Sequence, residues 1–300
     1  MCNSLKALDS GQQSAIARLF SAAVVRELAT KGMSPLFSRL LLESKLADSL
    51  HSSDSVSSAF DVAFSYIKKK IYRTEYTYKA AITNKLMLGR HSLNTAAMLT
   101  EFRVEACKVD IAIFNGTSTA YEIKSERDRL DRLENQLSSY RKLFAKVYVV
   151  TGENHAYEVL KSTSDETGVL LLSDRFSIST IREAVERPDR VSPEIICNSL
   201  QARECIQVLA EFGISAPNVP NTEMRRALLN IFRELDPVSV HQSVVKVMRQ
   251  SRSSSSLSSF IAAMPSSLAA AAFSVPIKER DHPKLIGAIN TPIREALAWA

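Results

Sequence analysis

Glycine is scarce, with eight residues in a chain of 300. A phosphate-cradling loop therefore has little to be built from. Neither G-x-x-x-x-G-K-[ST] nor G-x-S-x-G occurs, which leaves P-loop ATP hydrolysis and serine-hydrolase chemistry without sequence support. The four cysteines, Cys2, Cys107, Cys197 and Cys205, form no C-x-x-C. They sit near no histidine pair, so a zinc site is not expected. His51, His91, His155, His241 and His282 are likewise scattered rather than set at metal-ligand spacing. No apolar run approaches the roughly 18 residues of a membrane span; Leu268 to Val275 comes nearest and is rich in alanine. Met1 to Ser10 carries little positive charge and precedes no long apolar stretch, so no export signal is read. The expectation is a cytoplasmic protein with reduced thiols and no membrane partner.

What is present is an ordinary globular composition, 45% hydrophobic and 23% charged. That excludes disordered, collagenous and disulfide-scaffold classes. The net charge of +6 favours polyanionic partners through long-range attraction.

Three regions follow from the patterning. Residues 1–74 read as helical, with Ile16, Leu19, Phe20, Val24 and Leu28 at helical spacing and Pro35 as a break. Residues 75–177 read as an α/β core. Here Tyr76 to Leu88 is expected to be a helix closed by Gly89, and Met98 to Ala106 and Lys108 to Phe114 are strand-like. Asn115-Gly116 signals a tight turn into a strand over Thr119 to Lys124. A helix over Asp128 to Ala145, a strand at Lys146 to Thr151, a short helix and a last strand at Val169 to Leu172 complete the core. Residues 178–300 read as mostly helical, with a Ser-rich linker near 251–259.

The chemistry concentrates in KVDIAIFNGTSTAYEIKSERDRLDRLENQLSSY. Strand alternation puts Val109, Ile111 and Ile113 on one face and Asp110, Ala112 and Phe114 on the other, with Glu122 and Lys124 sharing a face of the next strand. The tight turn makes the strands neighbours, so Asp110 and Glu122 converge beside Lys124. Two carboxylates and an ammonium suit metal-assisted phosphodiester hydrolysis, in which Mg²⁺ takes oxygen ligands and a cation stabilises developing charge. The Ile123 carbonyl is a further oxygen donor at the same place. On the following helix Gln136 and Tyr140 are four apart and share a face with Leu133 and Leu137. Both are expected to point inward at the strands. Lys68, Lys69, Lys70 and Arg73 form a basic run suited to phosphate contacts, and Arg127 follows the strand motif.

D-x11-E-x-K on a hairpin followed by Q-x-x-x-Y on a helix resembles the PD-(D/E)XK, restriction-endonuclease-like nuclease superfamily. The Gln/Tyr pair is similar to that of its RecB-like and Holliday-junction-resolvase-like branches. The stretch YEIKSERDRLDRLENQLSSYRKLFAKVYVVTGE resembles a poorly characterised group of bacterial and mobile-element proteins assigned there. The resemblance covers about residues 75–175 and implies an α-β-β-β-α-β core, a mixed central sheet flanked by helices, with helical N- and C-terminal extensions. It implies Asp110 and Glu122 as metal ligands, Lys124 as the catalytic lysine and Gln136 and Tyr140 as accessory residues. It also implies an upstream glutamate, for which Glu101 is favoured over Glu75 and Glu105. The proline that usually precedes the aspartate is replaced by Val109. The expected activity is a Mg²⁺- or Mn²⁺-dependent nuclease acting on DNA, with RNA cleavage or a non-catalytic binding module as alternatives. The helical ends would frame nucleic acid or a protein partner, and a homodimer would allow cutting of two strands.

Overall fold

The computed structural model describes residues 8–300; Cys2, read above as a reduced thiol, lies outside them. Short polar residues start the N-terminal helices. Asp9, Ser21, Ser34 and Ser55 each accept a backbone N–H of the first turn, which satisfies groups the helix cannot pair itself. The helices are α1 (Ser10–Leu19), α2 (Ala22–Lys31), α3 (Pro35–Glu43), α4 (Val56–Ile67), α5 (Glu75–Ile82) and the short α6 (Leu88–Arg90). Six strands follow: β1 (Ala97–Val104), β2 (Cys107–Asn115), β3 (Thr117–Lys124), β4 (Lys146–Thr151), β5 (Gly168–Leu172) and β6 (Ile178–Arg182). Helix α7 (Leu133–Arg141) joins β3 to β4, and α8 (Glu153–Ser162) joins β4 to β5. Then come α9 (Pro193–Ser199), α10 (Ala202–Glu211), α11 (Asn221–Phe232), α12 (Pro237–Ser251), α13 (Ser258–Ala262), α14 (Ala269–Ser274), α15 (His282–Ile289) and α16 (Ile293–Ala296).

The described residues form two units, one of residues 8–84 with Leu257–Ala300 and the other Lys85–Ser256. The first is helical. Ile16, Leu19, Leu28, Phe37, Leu40 and Phe60 are fully buried in it, and each such side chain contributes about 1.5–3 kcal/mol by leaving water. The Ile293 N–H donates to the Asp54 carbonyl at 2.7 Å, tying the C-terminal segment to the N-terminal helices within this unit.

The second unit is α/β, a six-stranded mixed sheet flanked by helices. Its strand order follows the chain. β1, β2 and β3 are an antiparallel meander, β3, β4 and β5 are parallel, and β6 closes the far edge antiparallel. The Asn-Gly signal holds: Gly116 turns the β2–β3 hairpin at φ +72°, a conformation that suits a residue without Cβ. Phe114, Ala120 and Val149 of the sheet share one core with Leu137, Tyr140, Val208, Phe232, Val244 and Met248 of α7 and α10 to α12. Among the described residues no helix is long and apolar enough to cross a membrane. Cys107, Cys197 and Cys205 are free thiols.

Several local expectations are corrected. Ile178 to Arg182, read as the start of a helical region, is the edge strand β6; its five residues are too few to display a period. Residues 178–256 pack with the sheet, whereas Leu257–Ala300 groups with the N-terminal helices. Gly89 does not cap a helix but lies within α6. Helix α7 starts at Leu133, not Asp128, because the Asp128 carboxylate accepts both the N–H and the hydroxyl of Ser125, at 2.7 and 2.5 Å. That local turn competes with helical pairing.

Candidate active site

Three acidic residues lie in a row across the meander. The β1–β2 ladder pairs Thr100 with Ile111 and Phe102 with Val109, which sets Glu101 opposite Asp110. The β2–β3 ladder pairs Ile111 with Tyr121, so Asp110 and Glu122 are the next cross-strand neighbours. The ladder opens at this row. Glu101 sits in the left-handed region at φ 54°, a conformation that costs a side-chain-bearing residue about 1–2 kcal/mol. The Asp110 carboxylate accepts the Ile123 N–H at 2.7 Å, replacing a main-chain acceptor.

This opening corrects the expected alternation. Val109 shares the helix-covered core with Ala112 and Phe114, although strict period two sets it opposite them. On β1, Leu99 and then Phe102 and Val104 face that core. Alternation therefore slips by one residue on both strands at the Glu101–Asp110 position, while the register on either side is unchanged. Such irregularities re-aim side chains. Here the carboxylates of Glu101 and Asp110 each bring an oxygen within 4.8 Å of the other.

The second half of the site is buried. Glu122 is 2% exposed and Lys124 8%. The Lys124 ammonium donates to one Glu122 oxygen at 2.7 Å and to the Gln136 amide oxygen at 3.0 Å. The other Glu122 oxygen accepts from the Tyr140 hydroxyl at 2.8 Å, and that hydroxyl also lies 2.7 Å from the Lys108 carbonyl. A phenol has one proton for these two acceptors. Burial, and then the Glu122 charge, hold the Tyr140 hydroxyl far above its ordinary pKa, so it remains a donor. Helix α7 sets the pair in place: Leu133, Leu137 and Tyr140 are its buried stripe, and Gln136 rides beside it. The structure thus brings Asp110, Glu122, Lys124, Gln136 and Tyr140 together with Glu101. Thr151, which the sequence reading did not single out, donates its hydroxyl to the Lys124 carbonyl at 2.9 Å and fixes the end of β3. Its only signal was its place at the end of the strand KVYVVT.

Glu105 pairs with Lys142, both oxygens at 3.0 Å. Glu75 belongs to the helical unit and pairs with Lys79 at 2.6 Å. Lys68, Lys69 and Lys70 also belong to that unit, where the Lys68 and Lys69 ammonium groups stand over the rings of Phe64 and Tyr66 at 5.6 and 5.5 Å. Arg73 is 3% exposed and its Nε donates to the Lys68 carbonyl at 3.4 Å. Arg127 is exposed in the loop after β3. Carboxylate oxygens such as those of Glu101 and Asp110 are the donors that hard divalent cations take, and both Glu122 oxygens accept from protein donors, Lys124 and Tyr140. The Ile123 backbone enters through its N–H to Asp110.

Residues 68–270 match the family model described as bacteriophage P4 protein cII. The chain belongs to that family. The matched span contains the whole α/β unit and every residue of the site just described. A curated member, protein cII of Enterobacteria phage P4, is 29% identical over 168 residues. The match takes in 54% of this chain and 58% of the phage protein, so this P4 cII-family chain spans less than two thirds of that relative. A solved protein of unknown function from Silicibacter pomeroyi, 17% identical, aligns with 45% of this chain and 90% of its own at a TM-score of 0.32.

Proposed function

We propose that the α/β unit is a metal-dependent nuclease with a restriction-endonuclease-like core, hydrolysing phosphodiester bonds in DNA. The observation that carries this reading is the Lys124 ammonium, nearly buried and oriented by Glu122 and Gln136, next to the open row of Glu101 and Asp110. A buried lysine with such specific partners has the character of a functional group. Glu101 and Asp110 would hold Mg²⁺ or Mn²⁺. When bound, the metal lowers the pKa of water and polarises a phosphate. Lys124 donates an N–H toward charge developing on the phosphate oxygens. Glu122 holds that ammonium by charge and hydrogen bond, Gln136 fixes its direction, and Tyr140 keeps the second Glu122 oxygen in place from the core side. Exposed Arg127 at the mouth of the loop after β3 is suited to a backbone phosphate.

The test is cleavage of linear, circular and single-stranded DNA, and of RNA, in Mg²⁺, Mn²⁺ or EDTA. Asp110→Asn is the informative variant, because the amide oxygen still accepts the Ile123 N–H while the charge is lost. Metal-dependent cutting that falls at least about 100-fold in Asp110→Asn is expected. Cutting that persists in this variant, or in EDTA, overturns the assignment. Salt-sensitive binding without cutting by the wild type replaces it with a non-catalytic binding module.

A further inference from the structure

The helical unit carries almost all of the chain's excess charge. Residues 1–84 and 257–300 hold 15 Lys and Arg against 10 Asp and Glu, a balance of +5 out of +6 for the whole chain. Within this unit a cleft of about 620 Å³ lies between α2 and α15 and is walled by the 276–281 segment. Four cations line it, Arg26, Lys278, Arg280 and Lys284, against one carboxylate, Asp281. All four are exposed. Lys284 is anchored, its ammonium donating to the Thr30 carbonyl at 3.0 Å, and so fixes α15 to the C-terminal end of α2. Arg26, Lys278 and Arg280 make no ion pair among the described residues. Elsewhere on this unit several cations do find carboxylates, as Lys31 does with Glu27, Arg39 with Glu43 and Arg294 with Glu295. Four like charges gathered in a cleft against a single carboxylate leave a net positive field, which a low-dielectric wall focuses outward.

We infer that this cleft binds the phosphodiester backbone of nucleic acid, making the helical unit a sequence-independent anchor for the substrate of the α/β unit. The identity of the polyanion rests on the nuclease reading, whereas the cleft and its unpaired cations do not. Each neutralised phosphate releases condensed counterions, so every contact adds about 0.9 to the salt slope for duplex DNA and about 0.7 for single strands. Three cations released from the cleft are therefore worth a slope change of about 2.7 or 2.1.

The experiment titrates fluorescent duplex and single-stranded DNA with the full chain in EDTA, by anisotropy, between about 50 and 200 mM salt. The wild type is compared with Arg26→Gln/Lys278→Gln/Arg280→Gln and with a control of equal charge removal on the same unit, Arg18→Gln/Arg39→Gln/Arg294→Gln. The cleft variant is expected to lose at least tenfold in affinity and about two to three units of salt slope, with the control changing far less. An unchanged slope in the cleft variant, or equal losses in both, overturns the inference. Displacement of DNA by inorganic phosphate at matched ionic strength also overturns it, in favour of a small phosphate ligand. Thermal melts of both variants matching the wild type exclude misfolding as the cause. Binding in EDTA is independent of cleavage, so failure of the nuclease reading shows separately in the Asp110→Asn assay.

Discussion

Replacing Lys124 with methionine tests the site without assuming any activity. The Glu122 side chain is 3% exposed and that of Lys124 10%, so the pair is held largely out of water. In Lys124→Met the Glu122 carboxylate keeps a single donor, the Tyr140 hydroxyl, whose one proton is also within reach of the Lys108 carbonyl. Removing one partner of a buried ion pair costs about 3–5 kcal/mol, because the remaining charge is uncompensated. An exposed pair of the same length would cost about 0–1 kcal/mol. Against a typical domain stability of about 5–15 kcal/mol, the buried figure is a large fraction. Glu122→Gln/Lys124→Met removes both charges and should recover much of the loss, giving a coupling of at least about 2 kcal/mol in a double-mutant cycle. Urea unfolding followed by far-ultraviolet circular dichroism reads all four corners of the cycle. A loss under about 1 kcal/mol in Lys124→Met, or strict additivity in the double variant, would show that the two side chains do not share a buried site.

Three further outcomes follow from the geometry. Glu101→Gly should be more stable than Glu101→Ala by about 1 kcal/mol, because glycine accepts the left-handed backbone and both variants lack the carboxylate. Both should weaken Mn²⁺ binding measured by calorimetry, and a glycine variant no more stable than the alanine one would refute the strain. His241 is buried, accepts the Ser118 N–H at 3.3 Å and lies 3.0 Å from the Ser118 hydroxyl. Burial holds its pKa below the usual imidazole value, with Glu186 opposing. The unfolded chain therefore binds the proton more readily, so stability is complete above pH about 6.5 and declines as pH falls toward the depressed native value. His241→Asn should flatten that decline in urea midpoints taken between pH 7 and 5, and an unchanged pH profile would contradict it. A Cβ at Gly168 would fall on the Tyr148 ring and 2.9 Å from the Ala184 nitrogen, so Gly168→Ala should lower stability by about 1–3 kcal/mol. A melting temperature equal to the wild type's would show that β4 and β5 approach less closely there.

Much of the α/β unit was legible because its signals are local. The β-branched run at Lys146 to Thr151, the Asn-Gly turn and the apolar stripe of α7 each declare an element within a few residues. Strand alternation plus that turn was enough to make Asp110 and Glu122 neighbours, and helical spacing was enough to aim Gln136 and Tyr140 at them. Edge strand β6 was not legible, since five half-exposed residues carry no distinguishable period. The burial of Arg73 was not legible either, because a basic run is the same in sequence whether its last member faces water or turns inward.

The sequence by itself determined which residue types meet, because turn chemistry and side-chain periodicity act over a handful of bonds. Only the tertiary structure decided how they meet. The slip of alternation at Glu101 and Asp110 arises from two strands opening together, and neither strand shows it alone. The pairing of Glu122 with Lys124, Gln136 and Tyr140 depends on α7 being packed over the sheet, which excludes water and gives the ion pair its strength. The basic cleft of the helical unit joins α2 to residues more than 240 positions away, a juxtaposition set by the packing of distant helices and invisible to any local pattern.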